Sequence, residues 1–118
     1  MTVEADIFNL LKGLVSNHVY PDTAPAGTPR PYITFQQVGG IPLSFMEGAV
    51  PSKKNGRFQV NVWADGRTAA SALALQAESA FITATTIQAV PLGGPIALHE
   101  DELKLYGTQQ DFSVWSDR

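Results

Sequence analysis

The sequence predicts a small α+β fold: an antiparallel or mixed sheet, two helices packed on one of its faces, and a long loop between the first two main strands. Apolar residues recur at helical spacing in two segments, one near the N-terminus and one midway along the chain, while shorter runs alternate apolar and polar residues with period two. The first two alternating runs are joined by a loop rather than a helix, which favours antiparallel pairing and leaves the helices to cover one face. At 118 residues the chain fits one domain spanning 1–118. A domain of that size buries about two thirds of its unfolded surface.

Thr2 is placed to cap a first helix over residues 3–15. Glu4 and Asp6 sit where the helix dipole favours acid, and Val3, Ile7, Leu10, Leu11 and Leu14 form its apolar stripe. The stretch HVYPDTAPAGTPRPYITFQQVGG follows, from His18 to Gly40. Its prolines cannot donate to a ladder and bias the residues before them to extended geometry, so Pro21 to Pro31 reads as a rigid lead-in to a strand over 32–38. Ile33 and Phe35 share one face of that strand, Thr34 and Gln36 the other. GGIPLSFMEGAVPSKKNG, residues 39–56, is the long connection. RFQVNVWA then alternates, with Phe58, Val60, Val62 and Ala64 on one face and Gln59, Asn61 and Trp63 on the other.

A second helix spans DGRTAASALALQAESAFITA, with Ala70, Leu73, Ala74, Ala77 and Phe81 along one stripe whose small residues allow close approach to a sheet. TTIQAVPLGG holds a short strand ended by Pro91, and HEDE, residues 99–102, reads as an acidic turn. LKLYGTQQDFSVW reads as two short strands about Gly107, with Phe112 and Val114 on one face.

Composition narrows the function. Net charge is −3, so no basic field would gather nucleic acid or an anionic membrane around a monomer, and no sequence-specific nucleic-acid partner is expected. Charged residues make up 16%, below the roughly 25% of an average domain, which leaves an uncharged polar surface suited to protein contacts. The chain has no cysteine, which removes disulfides, thiolate nucleophiles and cysteine-based zinc sites. No apolar run approaches the roughly 20 residues needed to span a bilayer, and MTVEADIF has acid where a signal peptide has base. A soluble cytosolic product with no membrane partner is the expectation.

Catalytic motifs are missing. His18 and His99 are too far apart in sequence to form a local ligand pair. His99 beside Glu100, Asp101 and Glu102 would hold a hard cation only if the turn folded its carboxylates inward, and acidic runs are usually solvated. Glu47 and Glu100 pair as glycosidase carboxylates only on paper, no serine occupies a nucleophile elbow, and Gly39-Gly40 and Gly93-Gly94 lack the lysine of a phosphate loop. The chain therefore reads as a protein without catalytic residues or cofactor.

The long loop is the distinctive feature. Ile41, Leu43, Phe45 and Met46 are apolar, and Lys53, Lys54 and Arg57 are three of the chain's eight basic residues. A structureless loop longer than about 12 to 15 residues usually binds something or is disordered. The plainer alternative is a hairpin whose strands extend into the loop, with Phe45 on the core. Candidate protein-interface residues are Phe45, Met46, Lys53, Lys54, Arg57 and an exposed Trp63. The loop is expected to be mobile in the free protein and to order on an acidic partner surface.

VYPDTAPAGTPRPYITFQQVGG, RFQVNVWADGRTAASALA and HEDELKLYGTQQDFSVW resemble, in that order and spacing, the small tail completion or tail-to-head joining proteins of long-tailed bacteriophages and prophages. The resemblance runs from the N-terminal helix to Trp115. It implies a small α+β protein that assembles as a ring of six subunits, caps the tail tube and joins it to the head connector, with no catalytic residue and no cofactor. Its partners would be itself, the tail tube protein and the head connector protein. Its location would be the host cytoplasm during assembly and the virion tail or neck afterwards. A head-side connector or neck subunit is the alternative within the same machine, and a small ligand-binding or hydrolytic domain the alternative outside it.

Overall fold

The computed structural model describes residues 2–118. Helix α1 (Val3–Leu11) starts where Thr2 Oγ1 accepts a hydrogen bond from the Ala5 amide at 3.1 Å. It buries Val3, Ile7 and Leu11, then tightens into one 3-10 turn over Lys12–Leu14. The expected helix over 3–15 is therefore shorter as an α-helix. Ser16 and Asn17, both with positive φ, turn the chain into β1 (Val19–Pro21).

β2 (Tyr32–Gly39) and β3 (Lys53–Ala64) form an antiparallel pair, and α2 (Arg67–Ile82) follows. The chain ends with β4 (Gln88–Pro91), β5 (Ile96–Glu100) and the long β6 (Leu105–Asp117). The sheet order is β1-β2-β3-β6-β4, with β5 also beside β6. β1 runs parallel to β2 and the remaining pairs are antiparallel, so the sheet is mixed. β5 and β4 share one edge of β6, along Leu105–Gln109 and Phe112–Trp115 respectively.

Several expectations are corrected here. The segment read as two strands about Gly107 is one continuous strand, because Gly107 makes no turn but lies opposite Trp63 in the ladder. A Cβ at Gly107 would come within 2.6 Å of the indole Cε3, so the glycine is a recess for that ring. His99 and Glu100 belong to β5, and the acidic turn is confined to residues 101–104. Val19 to Pro21 pair with Ile33 to Phe35 as a short strand that the sequence did not predict, so Pro21 alone of the expected Pro21 to Pro31 lead-in is paired. The long loop is also shorter than expected: Lys53, Lys54, Asn55 and Gly56 pair with Asp117, Ser116, Trp115 and Val114, leaving residues 40–52 outside the ladder.

Both helices lie on the sheet face that carries Ile33, Phe35, Phe58, Val60, Val62, Phe112 and Val114. The expected stripe of α2 is the one buried there, with Phe81 stacked on Phe112 at a ring separation of 4.3 Å. Each large apolar side chain so buried contributes about 1.5–3 kcal/mol, which makes this layer the main source of stability. α2 itself carries no side-chain N-cap. Arg67 in its first turn instead donates to the Gly107 and Leu98 carbonyls at 2.8 and 2.6 Å, with its guanidinium 5.6 Å from the Tyr106 ring centre. The contact ties β5, β6 and the start of α2 together. No helix among the described residues is long and apolar enough to cross a membrane.

Candidate interaction surface

One face of the sheet carries no helix. Directly opposed residues point to the same side, so the ladder register gives its rows. They run Tyr32–Trp63–Gly107–Leu98, then Thr34–Asn61–Gln109–Ile96, then Gln36–Gln59–Asp111, then Arg57–Ser113–Val90, then Asn55–Trp115–Gln88, and finally Lys53–Asp117. Amides and hydroxyls fill the middle, a tryptophan stands toward each end, and Val90 and Ile96 are exposed along one border. Asn61 Oδ1 is buried without a hydrogen-bond partner among the described residues.

Charge on this face is largely paired off. Arg57 reaches Asp111 at 2.7 Å, and Lys53 Nζ bonds the Asp117 carboxylate. Lys53 holds Asp117 below the usual carboxylate range, chiefly through that hydrogen bond and then through its charge. The positive patch expected from Lys53, Lys54 and Arg57 is thus not formed: all three lie in β3, and only Lys54 makes no ion pair among the described residues. Sequence proximity counted the cations and missed their carboxylates, which come from another strand. At the other end Tyr32 is pushed up by burial, opposed by the nearby Arg30 guanidinium. Arg30 also donates to the Leu103 and Lys104 carbonyls and meets Asp65 at 3.2 Å, fastening the proline-rich segment to the 101–104 turn.

Trp63 is half-buried rather than fully exposed, because its ring lies over Gly107. Phe45 and Met46 stand on the arm formed by residues 40–52, where every residue except Pro51 is exposed. Phe45 is not tucked onto the core. The root of the arm is fixed: the Ile41 amide donates to Asn55 Oδ1 at 3.0 Å, and Gly40 packs so closely on the Asn55 carbonyl that a Cβ there would lie 2.4 Å from it. Asn55 in turn donates to Ser113 Oγ at 2.9 Å. Ile41, Leu43 and Val50 join Phe45 and Met46 as exposed apolar groups.

The pairings considered for chemistry do not assemble. Glu47 lies on the arm and Glu100 at the far end of the β3–β6 pair. His99 Nδ1 is 3.1 Å from the Leu105 carbonyl, its ring lies on Tyr106, and among the described residues no group of three metal-ligating side chains comes together. Sequence reasoning missed Leu75 and Ile82, which are exposed on the solvent side of α2. Their spacing of seven, off the buried stripe, was the available signal.

What the chain leaves open is surface, in an amide-rich sheet face, an apolar arm and an exposed helix stripe, and the class this fold defines is a small α+β domain with a mixed sheet covered on one face by two helices. The model of the family described as tail completion protein gp17 matches residues 4–117, and the chain belongs to that family. Its fold is similar to that of a chain in the "Virion of native gene transfer agent (GTA) particle", with a TM-score of 0.71 over 98% of this chain and 95% of that one, at 20% identity. No curated protein matches the sequence. Family membership gives the chain a structural role in phage assembly.

Proposed function

We propose that the chain acts as a ring of six copies that caps the tail tube and joins it to the head connector, working in the host cytoplasm during assembly and remaining in the tail or neck of the virion. Beyond family membership, the observation that carries this reading is the arm: five large apolar side chains stand in solvent on one segment whose root is hydrogen-bonded in place. Exposed apolar surface of this kind marks an interaction site. Phe45, Met46 and Lys54 on and beside the arm, with Lys53, Arg57 and Trp63 on the helix-free face, are the contact residues. The role calls on no catalytic residue, cofactor, membrane or specific nucleic-acid sequence.

A closed ring needs a heterologous contact whose rotation closes, so the mass of the particle is the discriminating quantity. Sedimentation of the full chain, alone and with purified tail tubes, should show a closed oligomer that forms or persists on the tubes and stops their elongation. A two-fold dimer that persists when tubes are added overturns the reading.

A further inference from the structure

We propose that the arm of one copy seats in the hollow between α1 and α2 of the next, so that the contact between copies is head-to-tail. This rests on the reading that copies associate, and it names the two surfaces. On the arm, Met46 is fully exposed, Val50 is 73% exposed, Ile41 59% and Phe45 48%. A turn closed by the Gly48 amide donating to the Phe45 carbonyl at 3.0 Å holds the tip, and the Arg118 amide donating to the Ser52 carbonyl at 2.9 Å steadies the root. The arm is thus a shaped projection whose apolar side chains are left partly or, at Met46, wholly in solvent.

The receiving surface lies where the two helices meet. A hollow of about 530 Å³ lined by Asp6, Leu10, Ala80, Thr83 and Ala84 continues across Ala80 and Thr83 onto a shallow, open patch lined by Leu14 and Leu75. Leu75 and Ile82 are 60% and 56% exposed. Small alanines between larger aliphatic groups leave room for a ring or thioether, which is the form Phe45 and Met46 present.

Charge selects a second copy as the occupant. Lys53 and Arg57 are spent on Asp117 and Asp111, so Lys54 and Arg118 are the bases at the root of the arm that make no ion pair among the described residues. Asp6 lines the hollow and Glu4 precedes it on α1, and neither makes an ion pair among the described residues. Each chain therefore carries both halves of one contact, apolar projection with residual cations and apolar hollow with residual carboxylates. Because the halves differ, the contact is heterologous and propagates to a ring or a filament rather than requiring a two-fold axis.

The absence of cysteine makes disulfide trapping clean. Full-length Met46→Cys and Leu75→Cys chains, mixed under mild oxidation, should couple at least tenfold faster than Met46→Cys couples to Thr68→Cys, a control at an exposed position at the start of α2. The double variant Met46→Cys/Leu75→Cys should give a ladder of linked chains. Lys54→Glu on the arm partner should slow the coupling, and Asp6→Lys on the hollow partner should restore it. Coupling to Thr68→Cys as fast as to Leu75→Cys overturns the proposal. Wild-type rings that cap tubes without arm-to-hollow coupling sink this inference and spare the proposed function; coupling without capping does the reverse.

Discussion

Replacing Gly107 with alanine should lower stability by about 2 kcal/mol, and the structure says where that figure comes from. The new Cβ would lie 2.6 Å from Trp63 Cε3 and 2.6 Å from the Val62 carbonyl oxygen, both inside the 3.0 Å that real Cβ atoms essentially never breach. The two clashes differ in kind. The half-buried indole can tilt away, but the carbonyl belongs to the β3–β6 ladder and moves only if the pairing opens. Overpacking of a fixed site costs about 1–3 kcal/mol, and a rigid backbone neighbour puts this site near the top of that range. Against it stands the gain of about 0.5–1 kcal/mol when alanine replaces glycine inside a regular element. The net of about 2 kcal/mol corresponds to a fall in Tm of about 8 °C for a domain of this size. Urea and thermal unfolding followed by far-ultraviolet circular dichroism would measure it, with the m-value unchanged. In a Trp63→Ala background the carbonyl clash, the costlier of the two, remains, so the same substitution should still cost most of that amount. A Gly107→Ala protein within about 0.5 kcal/mol of its parent in either background would refute the account of Gly107 as a site of close approach that has no room for a Cβ.

The arm double variant Phe45→Ser/Met46→Ser should keep the parent's unfolding midpoint to within about 0.5 kcal/mol while losing self-association in sedimentation, since Met46 is fully exposed and Phe45 lies on the arm and not in the core. Lys54→Glu should likewise leave stability unchanged, whereas Lys53→Glu places a carboxylate opposite Asp117 in the ladder and should lower the Tm measurably. Arg67→Met removes the donors to the Leu98 and Gly107 carbonyls and should cost about 1–3 kcal/mol, with hydrogen exchange of the β5 amides accelerating first. Asp117, whose folded pKa is lowered by Lys53, stabilises the fold above the ordinary carboxylate pKa, and this contribution is lost as pH falls through the lowered value. Carboxyl NMR should show that titration and its return to the ordinary range in Lys53→Met.

Local pattern made both helices legible, because their buried stripes depend only on spacing along one segment. The same holds for Phe58, Val60 and Val62 in β3, which alternate regardless of what pairs with them. The misread parts were those decided by residues far away. Gly107 looks like a break until Trp63 is placed opposite it, and Lys53 to Gly56 look like a turn until the C-terminal residues pair with them. β1 has three residues, one of them proline, and exists because Ile33 to Phe35 present a parallel edge to it. Sequence reasoning named Phe45 and Met46 because loop length and large apolar groups are visible without the fold. It overcounted the cations because Asp111 and Asp117 stand 54 and 64 positions from their partners.

That pairing changes which force holds an assembly together. A patch of three free cations would make association salt-sensitive and steer it toward an acidic surface. With Arg57 and Lys53 neutralised on their own face, Lys54 and the Arg118 side chain remain beside the arm without an ion pair among the described residues. An exposed ion pair contributes about 0–1 kcal/mol, whereas burying a single phenylalanine, methionine or isoleucine contributes about 1.5–3 kcal/mol, and the arm offers all three. In the proposed contact apolar burial would therefore outweigh charge, and Lys54 would set orientation and encounter rate. Raising ionic strength from about 0.1 to 1 M shortens the screening length from about 10 to 3 Å and should slow ring formation while leaving formed rings intact. Rings that fall apart in high salt would show that the carboxylates and Lys54, not Phe45 and Met46, hold the copies together.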